Sequence, residues 1–216
     1  MSENLVALRE RYLRAQLVGD RREAVRLVID EGLGGGASVG DLHAQVIASA
    51  QQEIGRLWQR NLVSVAQEHV ASAISQLALA ALFERAAVAA ALGKLVVVAC
   101  VEGELHDLPA RLASDALELA GFDVRFLGAN VPLDHLLDLV RTERPALVGL
   151  SVTMSFHLPA LRRAVEALRT VTAAPILVGG HALGWSPSLG RELGVEVAGD
   201  AAALVAAALR LTGVAA

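Results

Sequence analysis

A histidine with a carboxylate two residues before it, Glu104-Leu105-His106, follows the apolar run Leu95-Val96-Val97-Val98-Ala99-Cys100. A neutral imidazole held by a carboxylate is the usual form of a metal-ligating histidine. Two further groups close similar runs: Ser151-Val152-Thr153 and Gly179-Gly180. Hydroxyls offer hydrogen bonds, and glycines let a ligand approach the backbone. Far upstream, Trp58 is followed by nine residues and then Glu68-His69. No Gly-x-Gly-x-x-Gly follows the first run, which leaves a dinucleotide reading with poor support, and no Gly-Lys-Ser/Thr is present.

Elements of two kinds must position these groups. Residues 2 to about 92 read as helices alone. Leu5, Leu8, Tyr12 and Leu13 form one apolar stripe at three- and four-residue spacing. A second helix runs from about Arg21 to Leu33, where Gly34-Gly35-Gly36 breaks the chain. A third runs from about Val39 to Trp58. Ser64-Val65-Ala66-Gln67 is a capping-box pattern that opens a fourth, running to about Leu92. Short loops between four helices imply a bundle, and the turn after Trp58 brings it and Glu68-His69 to one end.

Gly93-Lys94 marks a change of period. Strands are expected at Leu95–Cys100, Val124–Leu127, Leu147–Val152, Ile176–Gly179 and Val195–Ala198. Helices are expected at Pro109–Ala120, Leu133–Glu143, Leu158–Val171, Ser186–Leu193 and Ala201–Leu211. Five alternations imply an α/β fold, a Rossmann-like (flavodoxin-like) parallel sheet of five strands with helices on both faces. The expected organisation is a bundle over 1–92 and a sheet domain over 93–216. Glu104, His106, Ser151, Thr153, Gly179 and Gly180 then share the carboxyl edge of the sheet, where ligands of open α/β sheets bind.

Composition narrows the function. The net charge is −4 without a basic stretch, which argues against a nucleic-acid surface. Cys100 is the single cysteine, so an internal disulfide is excluded and a reducing cytoplasm fits. It reads as a small buried hydrophobe at a strand end. The apolar stretch from Val70 to Leu92 is broken by Ser72, Ser75, Gln76, Glu84 and Arg85, short of a membrane span. The N-terminus lacks the basic region of a signal peptide. His43 and His135 read as helix residues and His157 as a loop residue.

The part from Lys94 onward resembles the cobalamin-binding Rossmann-like domain of methionine synthase, corrinoid methyl carriers and cobalamin-dependent mutases. That family carries Asp-x-His-x-x-Gly, a Ser-x-Leu or Ser-x-Thr segment and a Gly-Gly turn. Here these read Glu104-Leu105-His106-Asp107-Leu108-Pro109, Ser151-Val152-Thr153 and Gly179-Gly180. The resemblance implies that His106 is the lower axial ligand of cobalt and that Glu104 accepts its other ring N–H. Ser151 and the glycines then line the slot of the nucleotide tail. Glu for Asp and Pro109 for Gly are departures; proline suits the first position of a helix.

Trp-x9-Glu-His resembles the signature of CarH-type adenosylcobalamin light sensors. This implies that Trp58, Glu68 and His69 contact the adenosyl group on the upper corrin face. Gln59 stands where several such sensors have a cobalt-capturing histidine. The bundle is expected to take up all residues before Gly93, so a direct transcription-factor role is not expected. A photocobilin variant adds a second chromophore, biliverdin, held non-covalently near Gln59 and Trp185. The expectation is therefore a cytoplasmic adenosylcobalamin light sensor, not an enzyme, signalling to an unidentified protein partner without nucleic acid or membrane. A homo-oligomer is left open. The alternatives are a corrinoid methyl carrier of a methyltransferase system and a cobalamin-binding antirepressor.

Overall fold

The computed structural model describes residues 3–186 and 188–214. They pack as two units, Met1–Ala87 and Val88–Ala216.

The first unit is helical. α1 spans Glu3–Leu17. α2, Arg21–Arg26, starts where the Asp20 side chain accepts from Glu23 N, and continues unbroken into a π-helical stretch, Leu27–Leu33. α3, Val39–Asp41, is capped by Ser38 and runs through a second π-helical stretch, Leu42–Ala48, into α4, Ser49–Gln59. α5 spans Val65–Phe83. Tyr12, Leu27, Leu42, Ile54 and Leu79 are fully buried between these rods. The capping box at Ser64 is complete, with the Ser64 hydroxyl accepting from Gln67 N and the Gln67 side chain accepting from Ser64 N. Ser64→Ala is expected to cost about 1 kcal/mol of unfolding free energy, read as a lowered urea midpoint.

The last helix of this unit stops at Phe83, not near Leu92. The Ala-rich segment after it has high helix propensity, yet Ala89 N donates to Leu119 O (3.0 Å) and Leu92 N to Gly121 O (2.8 Å). Hydrogen bonds to the second unit's own backbone replace the helical ones there.

In the second unit the strands are β1 Leu95–Cys100, β2 Asp123–Gly128, β3 Leu147–Ser151, β4 Ile176–Gly179 and β5 Glu196–Val197. The helices are α6 Leu108–Leu119, α7 Leu133–Glu143, α8 Leu158–Leu168, α9 Leu189–Glu192 and α10 Ala201–Leu211. Every strand pair is parallel, in the order β2-β1-β3-β4-β5. The expected α/β class and five-stranded parallel sheet are present. The helix expected from Ser186 is the short α9, preceded by a 3-10 turn at His181–Trp185.

Both faces of the central strands are covered, so they read as continuous apolar runs. Val97, Ala99, Val148, Leu150 and Val178 pack with residues of α7 and α8. Val96, Val98, Cys100, Leu147 and Leu177 pack with residues of α6 and α10. The strand order reverses between β1 and β3. The helices that follow them, α6 and α8, cover opposite faces, which makes this the switch point where ligands of doubly wound sheets usually bind.

Candidate functional site

Glu104 and His106 occupy the loop after β1, at that switch point. The Glu104 side chain is fully buried. Its Oε1 lies 2.6 Å from His106 Nδ1 and accepts from His106 N (3.0 Å). Its Oε2 accepts from Thr153 N (2.8 Å) and Met154 N (2.9 Å), in the loop after β3. One carboxylate therefore fastens the loop after β1 to the loop after β3. Burial pushes its pKa up. The bond to the His106 ring and the N–H groups of Met154, His106 and Thr153 outweigh burial and hold the group at about 2.

This arrangement sets the tautomer of His106. With Nδ1–H given to a carboxylate, the lone pair sits on Nε2, and the ring's orientation is fixed. The His106 side chain is 41% exposed. Asn130, which follows β2 at φ +50°, braces the loop from the other side. Its Oδ1 accepts from Gly103 N (2.8 Å), and its N–H donates to Glu104 O (2.8 Å). Asn130 was not among the site residues read from the sequence; an Asn just past a strand, suited to left-handed backbone, was the available signal.

Ser151 ends β3, opposite Cys100 on β1 and Gly179 on β4. Its buried Oγ has no hydrogen-bond partner among the described residues, and neither has Thr153 Oγ1. A buried unpaired hydroxyl is costly, so these two atoms suit a ligand that supplies polar groups. Beside Ser151, a Cβ built on Gly179 would meet only Ala198 O within 4 Å, at 3.7 Å. Gly180 differs: at φ +112° its missing Cβ would lie 2.0 Å from Val152 O. Its side is filled by the protein's own backbone, so it serves packing before any ligand. Cys100 is buried, and burial, then the Asp107 and Glu104 charges, push its thiol up to about 12. That thiol is inert at neutral pH.

In the helical unit, Trp58 is half-buried near the end of α4, Glu68 stands in the first turn of α5 and His69 follows it. Glu68 Oε2 lies 2.6 Å from His69 Nδ1, and Glu68 Oε1 accepts from Ser72 Oγ (2.6 Å). Gln51 on α4 donates to Ser72 Oγ (2.7 Å), and Gln16 on α1 donates to Ser75 Oγ (2.9 Å). Glu68 is thus the outer end of a polar chain that enters the helical core. Trp185 lies in the 3-10 turn after Gly180 and is exposed.

No group of three or more His, Cys, Asp or Glu side chains among the described residues could hold a metal ion. A single oriented imidazole suits a metal that arrives with its equatorial ligands already in place. A corrinoid is such a metal complex, and the unpaired hydroxyls of Ser151 and Thr153 fit its polar periphery. No helix among the described residues is long and apolar enough to cross a membrane.

Comparison with known proteins agrees with that donor set. Residues 94–210 match one family model described as a B12 binding domain, and residues 8–83 match a second model with the same description. Dimethylamine corrinoid protein 1 of Methanosarcina acetivorans is 26% identical over 164 residues, 73% of this chain and 77% of that protein. The trimethylamine corrinoid protein of Methanosarcina barkeri is 28% identical over 121 residues, 54% of this chain and 56% of that protein. The structure of the Methanosarcina barkeri monomethylamine corrinoid protein superposes with a TM-score of 0.80 at 17% identity, covering 95% of this chain and 99% of that one. That last likeness is one of fold.

These relatives overturn the light-sensor expectation. They are methylamine corrinoid proteins, whereas the Trp-x9-Glu-His spacing alone pointed to CarH-type sensors. The twelve residues from Trp58 to His69 are a short signal, and a match along 164 residues outweighs it. The sequence and the geometry meet at one conclusion: the chain belongs to the B12 binding domain family.

Proposed function

We propose that this protein is a corrinoid methyl carrier, the shuttle component of a methyltransferase system. The observation that carries the reading is the match over 164 residues to a dimethylamine corrinoid protein. The bound corrinoid would supply a cobalt centre that takes a methyl group from one enzyme and yields it to another. The chain carries the group and orients its holder; the partner enzymes catalyse.

In this reading His106 would hold cobalt through Nε2, and Glu104, bonded to Nδ1, would fix the ring's tautomer and direction. Ser151 and Thr153 would offer their hydroxyls to the polar parts of the cofactor, and Gly179 would leave it room. Within the helical unit, Trp58, Glu68 and His69 would be the residues available to an upper ligand, with Glu68 steadied through Ser72 and Gln51. An adenosyl group would be one upper ligand among several, and the visible spectrum of the purified protein distinguishes them. The same spectrum reports a bilin.

Two measurements test this. Titration with hydroxocobalamin is expected to give a base-off, histidine-ligated spectrum, and His106→Ala is expected to lose it. A wild-type protein that leaves the cobalamin spectrum unchanged refutes corrinoid binding by this chain. Labelled methyl from a methylated amine is expected to reach the protein-bound corrinoid once a methylamine methyltransferase is added. Label that stays on the amine speaks against the carrier role.

A further inference from the structure

Three loops at the carboxyl edge of the sheet each present a large apolar side chain to solvent. Leu105, after β1, is 70% exposed; Phe156, after β3, is 67%; Trp185, after β4, is 73%. Single exposed apolar residues need no explanation, but grouped ones mark a binding surface. These are grouped. The His157 ring fills the space a Cβ on Gly103 would take, 2.9 Å from it, which ties the β3 loop to the Glu104–His106 loop. Phe156 packs on His157 with ring centroids 4.3 Å apart. The turn that holds Phe156 contacts the turn His181–Trp185, where Trp185 meets His181 edge-on at 6.4 Å.

We propose that Phe156 and Trp185 form an aromatic shelf for the lower face of the corrin ring, beside the His106 ligand. The inference rests on the corrinoid reading above and adds two residues that the motifs do not contain. The occupant follows from continuity. The shelf lies on the loops next to the one that carries His106, so a flat macrocycle ligated by that imidazole extends over its neighbours. Phe and Trp give such a ring wide apolar contact, with few rotatable bonds to immobilise. The shelf meets the ring, not the nucleotide tail.

The test is a spectral titration of the full chain with two probes, hydroxocobalamin and aquocobinamide, the latter without a nucleotide tail. Phe156→Ala and Trp185→Ala are each expected to weaken both probes about tenfold, the loss of one buried aromatic contact. Leu62→Ala, which removes an exposed apolar side chain from the helical unit, is expected to leave both affinities within about twofold. Because Phe156 and Trp185 are exposed, thermal midpoints are expected to stay at the wild-type value.

Loss of cobalamin affinity with cobinamide unaffected would move the contact to the tail and overturn the shelf. Unchanged affinity for both probes, with impaired methyl transfer from an added methyltransferase, would assign the surface to a protein partner and overturn it too. Failure of wild-type protein to bind either probe would remove the corrinoid reading itself, which is distinct from failure of the shelf alone.

Discussion

Glu104→Ala is expected to destabilise the fold by about 3–5 kcal/mol and to weaken cobalamin binding about 10- to 100-fold. The first effect comes from three backbone donors, Thr153 N, Met154 N and His106 N, that lose their acceptor at a buried position. Each unsatisfied buried donor costs about 1–3 kcal/mol, and water entering the space of the lost side chain recovers part of the sum. The second effect comes from His106, whose imidazole loses the group that fixes its tautomer and direction. Urea unfolding reads the one and spectral titration the other. Wild-type values for both would show that the clasp is ornamental.

The same carboxylate predicts a pH dependence. Its folded-state pKa is depressed to about 2 from an ordinary 4.5. The stability it contributes is therefore complete above the ordinary value and is lost as pH falls from about 4.5 through about 2. Glu104→Gln cannot ionise and is expected to flatten the stability profile over that window. An equal acid-induced loss in both proteins would place the effect on other carboxylates.

Gly180→Ala is the second large effect, expected to cost about 3 kcal/mol or more, or to prevent folding. The new Cβ would sit 2.0 Å from Val152 O and 2.6 Å from Val152 C, both rigid backbone, at φ +112°. Neither the residue nor its neighbour can yield, because Val152 N is bonded to Gly179 O (3.0 Å) and Ala182 N to Val152 O (3.3 Å). Gly179→Ala is a useful contrast. Its Cβ meets one atom at 3.7 Å, so stability is expected to fall by less than about 1 kcal/mol, and any loss of cobalamin affinity then reports on the ligand's space. Thermal unfolding of the two variants side by side decides it; equal losses would contradict the geometry.

Much of the molecule was legible in the chain. The sequence by itself determined the α/β class, because central strands such as Leu95–Cys100 and Leu147–Ser151 are buried on both faces and must be apolar throughout. It determined the start of α5 through the local hydrogen bonds of Ser64 and Gln67, which need no distant partner. It also put Glu104 and His106 in one loop, because two residues are too few to separate them. Only the tertiary structure decided that Glu104 also holds Thr153 and Met154, some fifty positions away. It decided that Phe83, not Leu92, ends α5, because the backbone bonds of Ala89 and Leu92 go to Leu119 and Gly121. It separated Gly180, whose side is filled, from Gly179, whose side is open, although the two letters are the same. Each of these depends on contacts distant in sequence, which composition and periodicity do not record.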